Sequence, residues 1–591
     1  MIGSVAVLVL AHPPVNTLSG PLVQAVSQAL DKVAADPAIQ AVILRGEGRC
    51  FSAGADIREA GQVARMAELG ALCRKVETLA KPVIAALHGT ALGAGMELAL
   101  AAHYRIANAA AILGLPEVGL GLLAAAGATQ RLPRLVGAQQ ALRLLISGLP
   151  VRATEALALG LIDRVVTEGL GEAALAMAQE GLPTRPTAML GMGLRDAVAY
   201  QAAVAAAGAA DKGNPLPAPA RIIECVEAAA LLPFEMGLVL EQTAFADLTA
   251  TPEAHGLHHA FVAERMALMP AAEIAGRTLP QLATLGIWGA EDPAADLALQ
   301  ALTAGLRVSL CDPDRARLAD ALGRIAAMQE QMVVAGQMTE DTRDAAWARL
   351  SSGFGAEALA GADLALLSPG QSATDLPAGL PLVTMGAAGA GAGITVPEAT
   401  GGLAELSVAR DATLDQIERL AALGRRLGWR VVTVGPGGPV ELGLRLALDA
   451  AEQHLARSTP PEVIAAAFAA FGMGQAGLPP PPRLSPKAMR AGRVLVQTCL
   501  AALAAEGTRM LADGRARRPC DIDAVALFCG LMPRWHGGPM FQADQRGLLV
   551  LRADLRKLAS DPDVAEPVFA VSPLLDDMIA EAKRFADLDE G

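Results

Sequence analysis

The amino-acid sequence predicts an α/β protein in which each of two α/β segments is followed by a mainly helical one. Short apolar runs typical of buried strands alternate with helical patterns near the start of the chain. From about 186 to 275 the pattern is helical and interrupted by turn residues, and strand–helix alternation resumes at 285. Such alternation predicts sheets covered by helices, so the class is α/β with added helical segments.

The first α/β segment contains three predicted strands. VAVLVL at 5–10 and QAVILR at 40–45 are apolar enough to be buried strands, and the helical pattern LVQAVSQALDKVAAD lies between them. KPVIAAL at 81–87 predicts a further strand, which leads to a helix after residue 94. These elements form one layered unit.

The second α/β segment repeats this alternation. TLGIWG, LALQALTAGL and RVSLCDPD predict a strand, a helix and a strand, and VVTVGPGGP at 431–439 predicts a last strand and turn. The remainder is helical, with a proline-rich linker predicted at 477–486.

Four domains follow from this pattern. We predict an α/β domain at 1–185, a helical connector at 186–277, a second α/β domain at 278–438 and a helical domain at 439–591.

Composition and charge exclude several classes of protein. The net charge of −13 argues against a nucleic-acid or anionic-membrane surface. Prolines interrupt the longest charge-free stretches, so no membrane span is predicted, and the first residues lack the basic region of a secretion signal. The seven cysteines form no Cys-x-x-Cys pair, which indicates neither disulfides nor a metal site. We expect a reduced cytoplasmic protein that is a monomer or small homo-oligomer.

Two glycine-rich stretches, FSAGADIRE at 51–59 and HGTALGAGMELAL at 88–100, carry candidate chemistry. In the second, Gly93, Ala94 and Gly95 lie between a predicted strand and a predicted helix, whose first N–H groups lack intrahelical acceptors. Small side chains let a ligand oxygen approach these N–H groups. The turn around Ala55 offers another N–H, so the two loops together predict an oxyanion hole.

Two glutamates accompany these loops. Glu97 lies three residues beyond Ala94, and Glu117 lies in LGLPEVGLG. Two nearby carboxylates that differ in protonation supply a base and an acid. From the residues alone a structural interpretation also stays open, because a glutamate in a first helical turn often interacts with the helix dipole and one after proline is often solvated.

The combined motifs resemble the crotonase (enoyl-CoA hydratase/isomerase) superfamily. FSAGADI, ALGAGMELA, LPEVGLG and GATQRLPRLVG occur in the family's order, over about residues 5–185. The resemblance implies a crotonase spiral fold, oxyanion donors at the N–H groups of Ala55 and Ala94, and catalytic carboxylates at Glu97 and Glu117. In family hydratases the first glutamate activates water and the second protonates Cα. The implied substrate is an acyl-CoA thioester, and hydration requires no cofactor.

The resemblance also implies contacts with CoA at Ala53, Asp56, Ile57 and Arg58. The last of these stands where the family often has a lysine near the CoA phosphates, although a solvated surface arginine fits equally well. Ala94 replaces a usual glycine, and LLAAAGATQ replaces the commoner L-L-P-G-A-G-G-T-Q. Each added methyl narrows the pocket. The substrate range is therefore open, and a CoA-ester isomerase or thioester hydrolase stays an alternative.

The rest of the chain resembles the dehydrogenase part of multifunctional enoyl-CoA hydratase/3-hydroxyacyl-CoA dehydrogenases. HHAFVAERMA at 258–267 is similar to their connector, and 521–544, with PRWHGGP, is similar to their helical domain. This implies a Rossmann-like domain and an all-α C-terminal domain.

The dinucleotide-binding motif G-x-G-x-x-G is degenerate in that domain. Gly289 keeps the first glycine, whereas Glu291 and Ala294 stand at the other two, and Glu291 places a charge where the pyrophosphate would lie. Asp312 matches the acid that binds the ribose. We expect NAD binding to be doubtful.

The catalytic histidine of the dehydrogenases also has no counterpart. Gly393 stands in its place, Glu405 matches the acid that orients it, no His occurs between His259 and His454, and no Asn follows Asn214. Oxidising an alcohol requires a base near the reacting carbon.

The sequence therefore predicts hydration of 2-enoyl-CoA with an inactive dehydrogenase half. Two further functions stay open, a full bifunctional hydratase/dehydrogenase and a non-catalytic CoA-ester-binding protein.

Overall fold

The chain divides into two compact units, Met1–His258 and His259–Gly591. The computed structural model describes residues 2–56, 61–372, 376, 379–386, 391–397, 401–473, 486–560 and 567–589. Apart from Pro486, the predicted linker at 477–486 lies outside these residues. The division into four domains, with boundaries after residues 185, 277 and 438, stays a prediction.

The first unit is built on a five-stranded parallel sheet in the order β1-β2-β3-β5-β8, beside a smaller sheet in the order β4-β6-β7. The eight strands are β1 (Val5–Leu10), β2 (Ala41–Gly46), β3 (Val83–Leu87), β4 (Thr90–Leu92), β5 (Tyr104–Asn108), β6 (Ile112–Gly114), β7 (Val151–Arg152) and β8 (Arg164–Val166). Both faces of the larger sheet are covered, as expected for apolar parallel strands. The strands predicted at 5–10, 40–45 and 81–87 are confirmed.

Helices cover both faces of the larger sheet. The helices of the first unit are α1 (Gly20–Ala35), α2 (Gln62–Glu77), α3 (Ala94–Ala101), α4 (Ala128–Ser147), α5 (Ala153–Ala158), α6 (Leu170–Gln179), α7 (Ala197–Ala210), α8 (Pro217–Leu231) and α9 (Phe234–Thr249), and the boundary between the units falls within α10 (Pro252–Ala267). Ile43, Ile84 and Ile106 pack with α6, whereas the alternate residues Val42 and Ala85 face the main core. This two-residue period is the pleat of the strand.

The second unit contains an eight-stranded sheet in the order β11-β10-β9-β12-β13-β14-β15-β16. Its strands are β9 (Thr284–Trp288), β10 (Arg307–Cys311), β11 (Leu350–Gly353), β12 (Leu364–Leu367), β13 (Leu382–Met385), β14 (Ala392–Ile394), β15 (Leu403–Val408) and β16 (Arg430–Val434). Only the β14–β15 pairing is antiparallel among these strands. The order 3-2-1-4-5 at its start is that of the doubly wound dinucleotide-binding fold. The predicted Rossmann-like fold is confirmed.

The helices of the second unit fall into two groups. Helices α11 (Asp292–Thr303), α12 (Arg315–Val334), α13 (Glu340–Trp347) and α14 (Leu414–Leu427) belong to the α/β part of the unit. The all-α part contains α15 (Val440–Ala456), α16 (Pro461–Phe471), α17 (Pro486–Asp513), α18 (Pro519–Phe528), α19 (Pro539–Arg546), α20 (Leu548–Ala559) and α21 (Pro573–Ala580). This confirms the helical end of the chain that the sequence predicts.

One helical stretch, Gly492–Asp513, is long and apolar enough to cross a membrane by length and composition alone. Of the apolar window in it, 78% is buried inside the protein. Burial of this extent is typical of a central core helix, whose apolar surface is covered by its neighbours.

A buried ion pair joins α2 to α4 in the first unit. Arg131 donates to both carboxylate oxygens of Glu77, at 3.2 and 2.8 Å, and both side chains are almost fully buried. Glu77 also accepts from the N–H of Ala188 at 2.8 Å, and Arg131 donates to the carbonyl of Ala126 at 2.8 Å. The pair is therefore well hydrogen-bonded, and removing one partner leaves the other charge buried alone.

We expect Arg131→Met to destabilise the first unit by about 3–5 kcal/mol, because the Glu77 carboxylate then lacks its cation. The matched control is Arg143→Met on the same helix, whose pair with Glu155 is nearly half exposed on both sides. That control should change stability by less than about 1 kcal/mol. Urea denaturation measures both, and hydrogen exchange of α2 and α4 assigns the transition to this unit. Equal stabilities of the two variants would contradict the expectation.

Candidate active site

Two backbone loops meet at the start of α3. The loop after β2 is held against β4 by two hydrogen bonds, from the N–H of Ser52 to the carbonyl of Thr90 and from the N–H of Leu92 to the carbonyl of Ser52. A Cβ built on Gly54 would lie 3.0 Å from the carbonyl oxygen of Leu92 and 3.6 Å from the nitrogen of Ala94. The predicted oxyanion donors, Ala55 and Ala94, are thus on adjacent loops.

The N–H groups of these two residues are available to a ligand. Ala94 is the first residue of α3, so its N–H has no intrahelical acceptor. No acceptor for the N–H of Ala55 is found in the part of the chain that the structure describes. Two N–H groups on separate loops, neither with an acceptor among the described residues, are the donors that a developing oxyanion requires.

Two glycines make this arrangement possible. Gly93, the N-cap of α3, has a φ of +52°, and a Cβ there would lie 2.9 Å from Oε1 of Glu117. Gly95 packs on Ser52 so closely that a Cβ would lie 2.7 Å from the Ser52 Cβ. These glycines therefore allow the start of α3 to approach both Glu117 and the other loop.

Glu97 lies one turn into α3 and is fully buried. Its Oε1 accepts hydrogen bonds from the N–H groups of Ala126 and Ala128, at 2.7 and 3.2 Å. Its Oε2 is buried and has no hydrogen-bond partner among the described residues. One oxygen is therefore fixed, and the other is left for chemistry.

Glu117 opens the 3₁₀ turn Glu117–Leu120, just after Pro116. Its Oε2 is buried and likewise lacks a hydrogen-bond partner within the described ranges. The side chain is therefore not the solvated loop glutamate that the sequence alone leaves open. It lies against the glycine that precedes the Ala94 N–H group.

Burial raises the pKa of both glutamates. Burial raises the pKa of Glu97 to about 7, although the hydrogen bonds from Ala126 and Ala128 and the charge of Arg131 lower it. The pKa of Glu117 rises to about 8, first because of burial and then because of the neighbouring Glu97 charge. The N–H groups that donate to Glu97 favour its ionised form, and the charge of Glu97 in turn disfavours ionisation of Glu117.

A third buried carboxylate, Glu241 on α9, was not predicted by the sequence analysis. It accepts from the N–H groups of Gly127 and Thr129 at 2.7 and 2.9 Å, and from the Thr129 hydroxyl at 2.5 Å. Burial, followed by the charge of Glu97, raises the pKa of Glu241 to about 8. No motif marks Glu241, and it lies more than 100 residues from its partners. The sequence of α9 does not single it out either, because Glu235 and Asp247 are acids on the same helix.

The predicted CoA contacts fall on the same loop as Ala55. Ala53 donates its N–H to the carbonyl of Val15, which anchors the loop, and Asp56 follows the predicted oxyanion donor. Ile57 and Arg58 lie outside the described residues. The assignment of these four residues to CoA stays a prediction.

In the second unit, the degenerate glycine-rich loop joins β9 to α11. Gly289 has a φ of +97°, and a Cβ there would lie 2.7 Å from the Cβ of Ser368. Both the backbone conformation and the close packing therefore require glycine at this first position of the motif. Glu291 is the N-cap of α11 and accepts from Gln371 at 3.3 Å, and Ala294 is buried on the same helix. The helix N-terminus that would bind a pyrophosphate thus begins with two acids, Glu291 and Asp292.

Asp312, predicted to match the ribose-binding acid, is fully buried at the end of β10. Its oxygens accept from Arg317 at 3.1 and 3.0 Å, and from the N–H groups of Ala290 and Asp314 at 2.8 and 2.7 Å. Burial raises its pKa, but the hydrogen bonds from Arg317 and the loop bring it below the ordinary value. Each oxygen already accepts two hydrogen bonds from the protein itself.

The residues at the predicted dehydrogenase centre are also built into the fold. Gly393 lies in β14 and pairs with Thr384 and Ser407 on the neighbouring strands. Glu405 accepts from the N–H groups of Val440 and Glu441, at 2.6 and 2.9 Å, and so caps α15. Burial raises the pKa of Glu405 to about 7.

The amino-acid sequence of this part of the chain is similar to those of known proteins. Residues 2–206 match the family model for enoyl-CoA hydratase/isomerase. The peroxisomal bifunctional enzyme of Danio rerio is 39% identical over 272 residues, which are 45% of this chain and 37% of that protein. A probable enoyl-CoA hydratase of Bacillus subtilis (strain 168) is 47% identical over 166 residues, 27% of this chain and 64% of that protein.

A further relative is named as part of a larger assembly. The fatty acid oxidation complex subunit alpha of Shewanella putrefaciens is 34% identical over 280 residues, 44% of this chain and 40% of that protein. The chain therefore spans less than two thirds of the length of each of these three relatives.

The raised pKa values predict how stability depends on pH. A carboxyl with a raised pKa keeps its proton in the folded state above pH 4.5, where the unfolded chain has released it. The free energy of unfolding should therefore fall as pH rises from about 5 to about 8, by at most about 1.4 kcal/mol per pH unit for each such proton.

Replacing Glu117 with Gln removes one of these protons, so the slope should become shallower. Urea denaturation at several pH values between 5 and 8 measures it, with Glu172→Gln, an exposed residue of α6, as the control. If Glu117→Gln leaves the slope unchanged, Glu117 is not protonated in the folded protein.

Proposed function

We propose that this chain, whose residues 2–206 match the enoyl-CoA hydratase/isomerase family, hydrates a 2-enoyl-CoA to the 3-hydroxyacyl-CoA. One observation carries the proposal. Glu97 and Glu117 are neighbouring buried carboxylates, and each has an oxygen without a hydrogen-bond partner among the residues described. Burying such an oxygen costs free energy, which is typical of a group retained for its chemistry.

The proposed reaction uses the two glutamates in different protonation states. Ionised Glu97 takes a proton from water through Oε2, and the water oxygen forms a bond to C3 of the enoyl group. The electrons of the double bond move to the thioester carbonyl, giving an enolate, and protonated Glu117 delivers its proton to C2. The proton held by Glu97 afterwards returns to Glu117 through solvent, so the net change is addition of one water.

The N–H groups of Ala55 and Ala94 are proposed to bind the enolate oxygen. A donor of this kind typically stabilises the transition state by about 3–4 kcal/mol. Backbone donors on two rigid loops need no reorganisation as the charge develops, and the positive end of α3 adds to the effect. The reaction requires no cofactor, and CoA is part of the substrate.

We propose that the second unit does not oxidise the 3-hydroxyacyl-CoA. Asp312 already binds Arg317 and two loop N–H groups, and therefore has no acceptor capacity left for a ribose hydroxyl. Glu291 and Asp292 place negative charge where a pyrophosphate would lie. Gly393 offers no side chain to act as a base. The NAD site is in this proposal a remnant of the fold.

The same pair of acids also supports a second reaction. Moving a double bond between C3 and C2 needs a base at one carbon and an acid at another, beside the same oxyanion hole. The family description includes isomerases, so enoyl-CoA isomerisation is the second candidate. Product analysis on 2-enoyl, 3-enoyl and 3-hydroxyacyl thioesters distinguishes hydration, isomerisation and thioester hydrolysis.

Glu117→Gln should lower kcat for crotonyl-CoA hydration by at least about 100-fold, because Gln cannot protonate C2. The measurement is the loss of enone absorbance with the purified full chain. Glu172→Gln is the control and should retain the wild-type rate. A rate for Glu117→Gln within a factor of two of wild type would contradict the assignment of Glu117 as the catalytic acid. Saturable binding without turnover in the wild type would instead indicate a CoA-ester-binding protein.

The second unit should give no NADH when the chain is incubated with 3-hydroxybutyryl-CoA and NAD. Absorbance at the NADH band measures turnover, and nucleotide fluorescence measures binding. Crotonyl-CoA hydration by the same preparation is the positive control for a folded enzyme. Saturable NADH binding together with NADH formation would establish a full bifunctional hydratase and dehydrogenase instead.

A further inference from the structure

We infer that Glu241 is a positioning residue for Glu97, which it holds in place through the first turn of α4. This inference rests on the proposed hydration and extends it to a helix beyond residues 2–206, the segment that matches the family. In the described part of the chain, the hydrogen bonds of the Glu241 carboxyl group are with Gly127 and Thr129. Its effect is exerted on the backbone that binds the catalytic base.

Four consecutive N–H groups carry the connection. Those of Ala126 and Ala128 donate to Glu97, and those of Gly127 and Thr129 donate to Glu241. Successive N–H groups along this stretch of backbone therefore donate alternately to Glu97 and to Glu241. A shift of this stretch that lengthens the bonds to one carboxylate also disturbs the bonds to the other.

The N-terminus of α4 depends on these remote carboxylates. Its N-cap is Gly127, with a φ of +107°, and glycine has no side chain to cap the helix. A larger residue is excluded there, because a Cβ would lie 1.9 Å from Arg131. The carboxyl oxygens of Glu97 and Glu241 therefore cap the helix by accepting from its first N–H groups.

Close packing limits how α9 can shift along its axis relative to α4. Gly237 lies one turn before Glu241, and a Cβ there would lie 2.0 Å from Oε1 of Gln130. The Nε2 group of Gln130 donates to the carbonyl of Cys225 on α8, at 2.9 Å. The contact at Gly237 places the Glu241 carboxylate at the level of the α4 N-terminus.

The charged and titratable groups that interact with Glu241 come from several elements. They are Glu97 on α3, Glu117, Arg131 on α4, Cys225 on α8 and Cys73 on α2. Arg131 is the cation of this set and is already paired with Glu77. Glu241 is thus held mainly by N–H and hydroxyl donors, which require an acceptor on both of its oxygens.

Replacing Glu241 with Gln tests this arrangement, because the amide nitrogen cannot accept from an N–H group. One donor of the turn then faces the amide NH₂, and the turn moves. After burial, the hydrogen bonds from Ala126 and Ala128 are the largest influences on the pKa of Glu97, and both lower it. When they weaken, the pKa of Glu97 rises. Loss of the Glu241 charge acts in the opposite direction, but the raised pKa of Glu241, about 8, already reduces that charge, so its removal offsets little of the rise.

In Glu241→Gln we expect kcat for crotonyl-CoA hydration to fall by about 10- to 100-fold with little change in KM. The rising limb of the kcat–pH profile should move to higher pH, by about half a unit or more. Glu235→Gln is the matched control on the same helix, since its carboxylate is largely exposed and pairs with Arg74 at the surface. Its profile should equal that of the wild type.

Two further variants keep the test decisive. Thr129→Val removes one donor to Glu241 and leaves both catalytic acids, so a smaller shift in the same direction is expected even if Glu241→Gln does not fold. In a Glu97→Gln background, Glu241→Gln should cause no further loss of kcat, because it acts through Glu97.

Unchanged pH profiles of both Glu241→Gln and Thr129→Val would overturn the inference. A fall in kcat that is fully explained by a smaller fraction of folded protein would also overturn it. The proposed function fails separately, if the wild-type chain does not hydrate crotonyl-CoA.

Discussion

Much of the first unit depends on the hydrogen bonds between Oε1 of Glu97 and the N–H groups of Ala126 and Ala128. They place a carboxylate in a fully buried position without neutralising it, because backbone donors stabilise the ionised form that burial disfavours. They also join α3 to α4, so the geometry of the base is a property of the fold. The price is a buried oxygen, Oε2, that the described part of the protein does not satisfy.

The carboxylates of the second unit show the opposite balance. Asp312 and Glu405 are as buried as Glu97, but both oxygens of each are used by the protein. Arg317 neutralises Asp312, and the first N–H groups of α15 satisfy Glu405. Asp312, with two donors on each oxygen, has no acceptor capacity left for a ligand, and each oxygen of Glu405 has a backbone donor. This contrast supports the proposal that chemistry is confined to the first unit.

The sequence predicts those parts of the structure that have a local signal. Apolar runs predict β1, β2, β9 and β10, because strands buried on both faces need such runs. Gly93 and Gly95 predict a close approach of backbone at α3, and Glu97 and Glu117 follow from motifs that resemble a family. Glu241 has no such signal, because its role depends on α9 packing against α4 through Gly237 and Gln130. The contact joins residues 112 positions apart, so no local sequence pattern predicts it.

The two units also suggest why a chain can keep a fold after its ligand site changes. Gly289 is required where Ser368 crowds the backbone, independently of any nucleotide. Nothing in the packing requires glycine at Glu291, which is the N-cap residue of α11 and whose side chain accepts a hydrogen bond from Gln371. A motif position that serves both ligand and fold persists, and one that serves only the ligand is free to change. The acid at Glu291 is therefore the more informative departure, because its position is the one where backbone and pyrophosphate would have to meet.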